Sequence, residues 1–281
     1  MDGSSHVKIG DRKLRIDPLI KWPGGKRTIA STILEFIPET SGTYFEPFFG
    51  GGAVFFALRP KNAVLSDVNP DLINAYVQVR DHSNDLVKAM RSLKNAEEEY
   101  YRVRMSSPRT PLRRAARTLY LSRLAFNGIH RVNLKGQFNV PYGYKTHLET
   151  IDEEHLFQTS DALQRADLLV GDFESVTRKA KAGDVLYFDP PYTVAHANNG
   201  FLKYNERIFS WQDQERLAAH ARQLAETGCR VIISNADHPS LRKLYADFEC
   251  YVIERHSVIA ASSAHRRQIT ECIFVMGDVE C

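Results

Sequence analysis

Residues 43–52 read Thr43-Tyr44-Phe45-Glu46-Pro47-Phe48-Phe49-Gly50-Gly51-Gly52, a β-prone run that breaks into three glycines ahead of the apolar stretch 53–58. A short strand, a glycine loop and a short helix form the opening unit of an α/β sheet, which binds nucleosides at the carboxyl ends of its strands. Glycines let the backbone approach a ligand closely, although three of them alone fit a flexible turn equally well. The spacing is not the dinucleotide GxGxxG. The next β-prone run, Ala63-Val64-Leu65, ends in Ser66-Asp67, with Asp67 17 residues beyond Gly50. An acid there is placed to accept hydrogen bonds from ribose hydroxyls. The two features together favour a nucleoside-containing cofactor over a plain turn.

Three further short apolar runs, at 168–170, 185–188 and 231–233, read as strands covered on both faces. Helical patterns lie between the runs. Residues 26–36 are closed by Pro38, residues 71–79 follow an Asn69-Pro70 start, and residues 210–227 begin at a Ser cap and stop at Gly228. Strand–helix alternation predicts a doubly wound α/β sheet. The last two runs, 251–256 and 270–276, have no helix between them and predict an antiparallel end. Residues 97–104 and 112–124 read as helices and 127–143 as a loop or hairpin, an inserted module between the second and third strands.

That module coincides with an uneven distribution of charge. The 281-residue chain is 43% hydrophobic with a formal net charge of +3. Residues 100–147 contain no Asp or Glu but ten of the 37 Lys and Arg, so the rest of the chain sets 27 basic against 34 acidic residues. A basic segment on a mildly acidic body suggests a polyanion such as nucleic acid, and charge alone fits a solvated helix face as well. The composition is globular, and no apolar run approaches the length of a membrane span. Residues 1–18 lack the apolar core of a signal peptide. Cys229, Cys250, Cys272 and Cys281 form no CxxC pair, so reduced, buried thiols in a cytosolic protein are expected, without a metal site.

The chemistry is carried by Tyr187-Phe188-Asp189-Pro190-Pro191-Tyr192. A strand delivers an Asp to its carboxyl end, and two prolines stiffen the exit. Asp189 and the Pro190 carbonyl can accept both hydrogens of an exocyclic amine on a planar ring while Tyr192 stacks on that ring. The nitrogen lone pair then points at an electrophilic methyl group, with no metal or cysteine nucleophile needed. In isolation the same four residues also fit a strand-ending turn.

Taken together, these elements resemble the Dam-like (D12 class, group alpha) DNA adenine-N6 methyltransferases. The resemblance runs through Lys21-Trp22-Pro23-Gly24-Gly25-Lys26, the glycine loop 45–52, Ser66-Asp67-Val68-Asn69, Asp189-Pro190-Pro191-Tyr192 and Ile233-Ser234-Asn235-Ala236-Asp237. It includes Asn127-Gly128-Ile129-His130-Arg131-Val132-Asn133 followed by the segment 136–143, and it covers residues 19–276 in family order. The family implies an S-adenosylmethionine-dependent methyltransferase sheet of Rossmann-like form, with residues 19–81 and 148–281 catalytic and 82–147 an inserted target-recognition module. Residues 1–18 form an extension beyond the motifs. The implied reaction moves methyl from S-adenosylmethionine to N6 of an adenine flipped out of duplex DNA, with a GATC-type site expected. An RNA adenine methyltransferase, or a non-catalytic DNA-binding protein on this scaffold, are the alternatives. The intact Trp22, Lys26, Asp67 and DPPY argue against the latter.

The resemblance also assigns residues. Asp189, Pro190, Pro191 and Tyr192 are catalytic. Trp22, Lys26, Glu46, Phe48, Gly50, Gly51, Asp67, Asp172, Phe173 and Asp189 hold the cofactor, with Phe173 stacking on its adenine and Asp172 hydrogen bonding to it. Phe126 and Ile129, flanking Asn127-Gly128, match positions that wedge into the duplex or pack beside a base, and Phe126 also fits a core side chain at a helix end. Arg131 reads a guanine edge, and Asn127 and Asn133 contact bases or backbone. Apart from the resemblance, Arg113 and Arg117 suit phosphates or a solvated face rather than sequence reading. Arg266 and Arg267 offer two further cations to DNA. Two departures stand out: Tyr144-Lys145-Thr146 follows Gly143 where relatives often carry an arginine, and the loop at 262–267 is less glycine-rich than theirs. The expected partner is double-stranded DNA, with no membrane and no obligate protein partner, so a monomer is expected. A cytoplasmic setting is expected too, the chain being bacterial or phage-encoded and serving a restriction system or replication and repair.

Overall fold

The computed structural model describes residues 16–40, 42–133, 135–193, 209–256 and 268–278. One sheet organises them. Strands β1 (Tyr44–Glu46), β2 (Ala63–Asp67), β3 (Ala166–Val170), β4 (Val185–Phe188) and β5 (Arg230–Ala236) run parallel. Strands β6 (Glu249–His256) and β7 (Gln268–Met276) pair antiparallel with each other, and β7 pairs antiparallel with β5. The seven strands lie in the order β3-β2-β1-β4-β5-β7-β6. The chain reverses its winding direction between β1 and β4, so a crevice opens there at the carboxyl ends of those strands. The doubly wound sheet and its antiparallel end match the reading of the sequence.

Alternation within the strands builds a core on each face. Tyr44, Val185, Tyr187 and Ile232 face one cluster, and Phe45, Leu186, Phe188, Val231 and Ile233 face the other. The first face is covered by α1 (Ala30–Leu34), α2 (Ala53–Leu58), α3 (Pro70–Asp81) and α7 (Glu153–Leu163). The second is covered by α9 (Trp211–Glu226) and α10 (Pro239–Leu244). Helix α8 (Phe173–Thr177) follows β3.

Helix starts follow local chemistry. The Asn69 side chain accepts from the Asp71 and Leu72 amides with Pro70 at the first helical position of α3, and Ser210 and Asp213 form a reciprocal capping box on α9. The first helix is shorter than the apolar pattern over 26–36 predicts. Residues 23–29 turn so that the Lys26 side chain runs into the interior, 3% exposed, and helical geometry begins only at Ala30.

Between β2 and β3, helices α4 (Ser83–Arg91), α5 (Glu97–Met105) and α6 (Pro111–Leu124) share the first core. Tyr120 and Leu124 of α6 and Met90 of α4 belong to the same cluster as Phe56, Leu65 and Tyr76. The basic helices are therefore rooted in the sheet's own core. The thiol expectation needs correction at one position. Cys229 and Cys272 are buried, but Cys250 is exposed because β6 is the edge strand; Cys281 lies outside the described residues. Among the described residues no helix is long and apolar enough to cross a membrane.

Candidate active site

Three loops meet at the crevice between β1 and β4. The first is the glycine loop. Gly50 and Gly52 adopt φ of 49° and 69°, and a Cβ on Gly50 would stand 2.8 Å from the Trp22 ring. Only glycine combines that backbone with that close approach. Gly51 is buried in the same turn. The second loop, after β2, ties itself to the first: Asp67 accepts from the Gly50 amide at 3.1 Å and the Asn69 amide at 2.9 Å, one on each carboxylate oxygen. Burial pushes the Asp67 carboxyl above its ordinary range, against those amides. Each oxygen keeps a lone pair for a further donor.

The third loop carries Asp189 out of β4. Lys26 Nζ donates to Asp189 Oδ1 at 2.6 Å and stands 5.0 Å from the centre of the Tyr192 ring. Ser234, on the neighbouring strand β5, donates to the same Asp189 oxygen at 2.9 Å. Among the described residues none donates to Oδ2. Burial raises the Asp189 carboxyl, and Lys26 opposes the rise. Pro190 is buried while Pro191 and Tyr192 are half-buried, so the loop leaves the sheet with a fixed path and a partly open rim.

Beneath these loops lies Glu46, 3% exposed, accepting from the Tyr44 hydroxyl at 2.8 Å and the Phe55 amide at 3.1 Å. Burial holds its carboxyl up at about 8, so it is largely protonated at neutral pH. Phe48 anchors an aromatic group with Phe173, Phe188 and Phe209 at centroid separations of 5.6, 6.4 and 5.4 Å. Phe173 is 2% exposed, and the Arg216 guanidinium lies 4.5 Å from its ring centre. Asp172 caps α8 through the Glu174 amide and receives both Arg216 terminal nitrogens at 3.1 and 2.8 Å. It stays 41% exposed.

The recognition loop approaches from the other side. Trp22 stacks on His130 with centroids 4.4 Å apart, so one indole face is already covered. Burial pushes the His130 imidazole down to about 4, leaving it neutral. Lys21 Nζ donates to the Asn127 carbonyl at 2.9 Å, and Asn127 holds a left-handed φ of 52° in a short 3-10 turn over Phe126–Gly128. Phe126 is 52% exposed, which removes the alternative of a core side chain. Ile129 is half-buried, and Arg131 is exposed with its Nε on Asn139 Oδ1 at 2.8 Å. Asn133 folds its own turn, accepting from the Lys135 and Gln137 amides, so its side chain serves the loop rather than standing free.

The two arginines expected on phosphates divide. Arg113 is exposed and its side chain makes no hydrogen bond among the described residues. Arg117 donates to the Val103 carbonyl at 3.2 Å and the Arg104 carbonyl at 2.7 Å, which makes it a clasp on the end of α5 and corrects the phosphate assignment. Arg266 and Arg267 lie outside the described residues. Ser234, Tyr187, Tyr44, His130 and Arg216 are site residues to which sequence reasoning gave no role. Ser234, Tyr187, Tyr44 and His130 did lie in segments singled out there, without a role of their own, and Arg216 had no signal beyond membership of a helix.

Comparison with known proteins places the chain in a family. The D12 class N6 adenine-specific DNA methyltransferase family matches residues 22–259. The chain is 39% identical over 271 residues to the Type II methyltransferase M1.LlaDCHI of Lactococcus lactis subsp. cremoris, covering 93% of this chain and 95% of that protein. It is 34% identical to the Type II methyltransferase M.MjaIII of Methanocaldococcus jannaschii, over 84% of this chain and 90% of that one. With the DNA adenine methylase of Escherichia coli K12 it shares 32% identity over 90% of this chain and 93% of that one. The chain belongs to the D12 class N6 adenine-specific DNA methyltransferases.

Proposed function

We propose that the chain transfers methyl from S-adenosylmethionine to N6 of an adenine extruded from duplex DNA, at a GATC-type site. The observation that supports it most is Asp189: a carboxylate at the switch point with one oxygen held by Lys26 and Ser234 and the other without a donor among the described residues. The cofactor fits the residues present. The glycine loop packs tightly on Trp22 and Phe49 and so holds a fixed path at the crevice, Asp67 keeps acceptor capacity, and Glu46 is a neutral acid beneath them. Trp22, Lys26, Glu46, Phe48, Gly50, Gly51, Asp67, Asp172, Phe173 and Asp189 would hold it, and when bound it supplies an electrophilic methyl group.

The chain's own residues then act on the amine. Asp189 Oδ2 and the Pro190 carbonyl accept its two hydrogens, which turns the lone pair out of the ring plane and toward the methyl donor. Tyr192 supports the ring. The nitrogen must shed a proton as it takes the methyl group, and a carboxyl raised by burial is a suitable acceptor. Residues 82–147 serve as the recognition module. Extruding the base costs a few kcal/mol. Exposed Phe126 on a turn pinned by Lys21 is suited to fill the space left behind, and Arg131 to read a guanine edge. The GATC assignment rests on the resemblance of residues 127–133.

Incubating the chain with methyl-labelled S-adenosylmethionine and a random-sequence duplex library, then mapping the modified bases, tests the reading. The expected result is N6-methyladenine within GATC. Label on cytosine, label on RNA alone, or no label would overturn it.

A further inference from the structure

A carboxylate that orients an amine must itself be oriented, and β5 supplies the means. Ser234 is fully buried in a strand otherwise dominated by apolar side chains, where a hydroxyl is costly unless bonded. Its hydroxyl donates to Asp189 Oδ1 at 2.9 Å and lies 2.8 Å from the hydroxyl of Tyr187, itself 1% exposed. A serine has one hydroxyl proton, and with that proton on Asp189 the Tyr187 hydroxyl must be the donor to Ser234. The chain of bonds therefore runs one way, from Tyr187 through Ser234 to Asp189, and such chains reinforce their members.

Lys26 donates to the same oxygen, but an ammonium on a flexible stem is a point charge and does not fix the plane of a carboxylate. A hydroxyl anchored on the sheet does. With Oδ1 taken by two donors from different elements, the remaining oxygen has one direction to face.

We propose that Ser234, backed by Tyr187, is a positioning residue for methyl transfer, locking the Asp189 carboxylate so that Oδ2 alone meets the target amine. The inference rests on the reading of Asp189 given above. It bears on pH dependence as well. The groups facing Asp189 are Lys26 from the N-terminal motif, Tyr44 and Glu46 from β1, Tyr187 from β4 and Glu271 from β7. Burial and Glu271 push the Asp189 carboxyl up, while Lys26 and Ser234 hold it down. Losing the Ser234 hydroxyl lets it rise further. The amine requires the ionised form, so the acidic limb of the rate profile moves to higher pH.

The test uses the full chain as wild type, Ser234→Ala, Ser234→Thr and Tyr187→Phe. Losing a hydrogen bond to a charged group lowers kcat about 10- to 100-fold in Ser234→Ala, with KM for duplex DNA unchanged. Ser234→Thr restores most of the rate and returns the acidic limb, and Tyr187→Phe falls about 3- to 10-fold because the relay loses only its far member. A second readout does not depend on turnover. The fluorescence of a duplex carrying 2-aminopurine at the target position rises when the base leaves the stack, and Ser234→Ala keeps the wild-type rise. An unchanged kcat, an unmoved acidic limb, or joint loss of rate, KM and fluorescence rise would overturn the positioning role. A wild-type chain that extrudes the base but transfers no methyl would overturn the reading of Asp189, and the inference with it.

Discussion

At the carboxyl end of β4 the charged groups are buried and held by named partners, as with Lys26 on Asp189 at 2.6 Å beside Ser234. Across residues 100–147 the charges are all of one sign and many stand in solvent, yet several arginines have backbone carbonyls for partners. Arg104 donates to the Val140 carbonyl, Arg117 to Val103 and Arg104, and Arg123 to Glu149, while Arg113 has no such contact. The first region is a rigid floor in which one substitution leaves a charge stranded. The second combines clasps that hold its shape with free cations for a polyanion. Net charge describes neither, because the role of a charge follows from its partner and its burial.

Breaking the pair in the floor has the largest expected effect on stability. Lys26→Met removes the ammonium from a carboxylate whose side chain is only 18% exposed, and should cost about 2–4 kcal/mol of folding stability in urea unfolding. In Lys26→Met/Asp189→Asn the loss should be smaller than the sum of the two single losses. Additive losses would show that the two groups do not act as a pair. The contrast within the basic segment is smaller and sharper. Arg117→Ala should lose about 1–2 kcal/mol, since two carbonyls lose their donor, and leave the salt dependence of DNA binding unchanged. Arg113→Ala should leave stability within about 0.5 kcal/mol and reduce the salt slope by about one. The reverse pattern would dissolve the distinction between clasp and free cation.

How much of this was legible in the sequence depends on what kind of signal a residue leaves. The strands and their direction were readable because apolar runs alternate with capped helices, and Asp189 stood out because a strand delivers it to its carboxyl end and two prolines stiffen the exit. Ser234 and Tyr187 sat within runs whose apolar neighbours made them look like ordinary strand residues. Their meaning appears only when β4 and β5 lie side by side, with Tyr187 opposite Ile232 and Phe188 opposite Ile233. Arg113 and Arg117 are one helical turn apart on α6 and look alike in sequence, but the end of α5 covers only the second. Phe173 drew its adenine role from the resemblance alone. Three aromatic side chains, Phe48, Phe188 and Phe209, pack around it, a grouping that no local spacing reveals.

The most direct measurement is methyl transfer to duplex DNA by wild type and Asp189→Ala, with folding and cofactor binding followed on the same samples. Wild type should yield N6-methyladenine. Asp189→Ala should stay folded, still bind duplex, and lose at least about a thousandfold in kcat at saturating S-adenosylmethionine, since both the orienting acceptor and the proton acceptor are gone. An Asp189→Ala chain that methylates adenine at close to the wild-type rate would contradict the account.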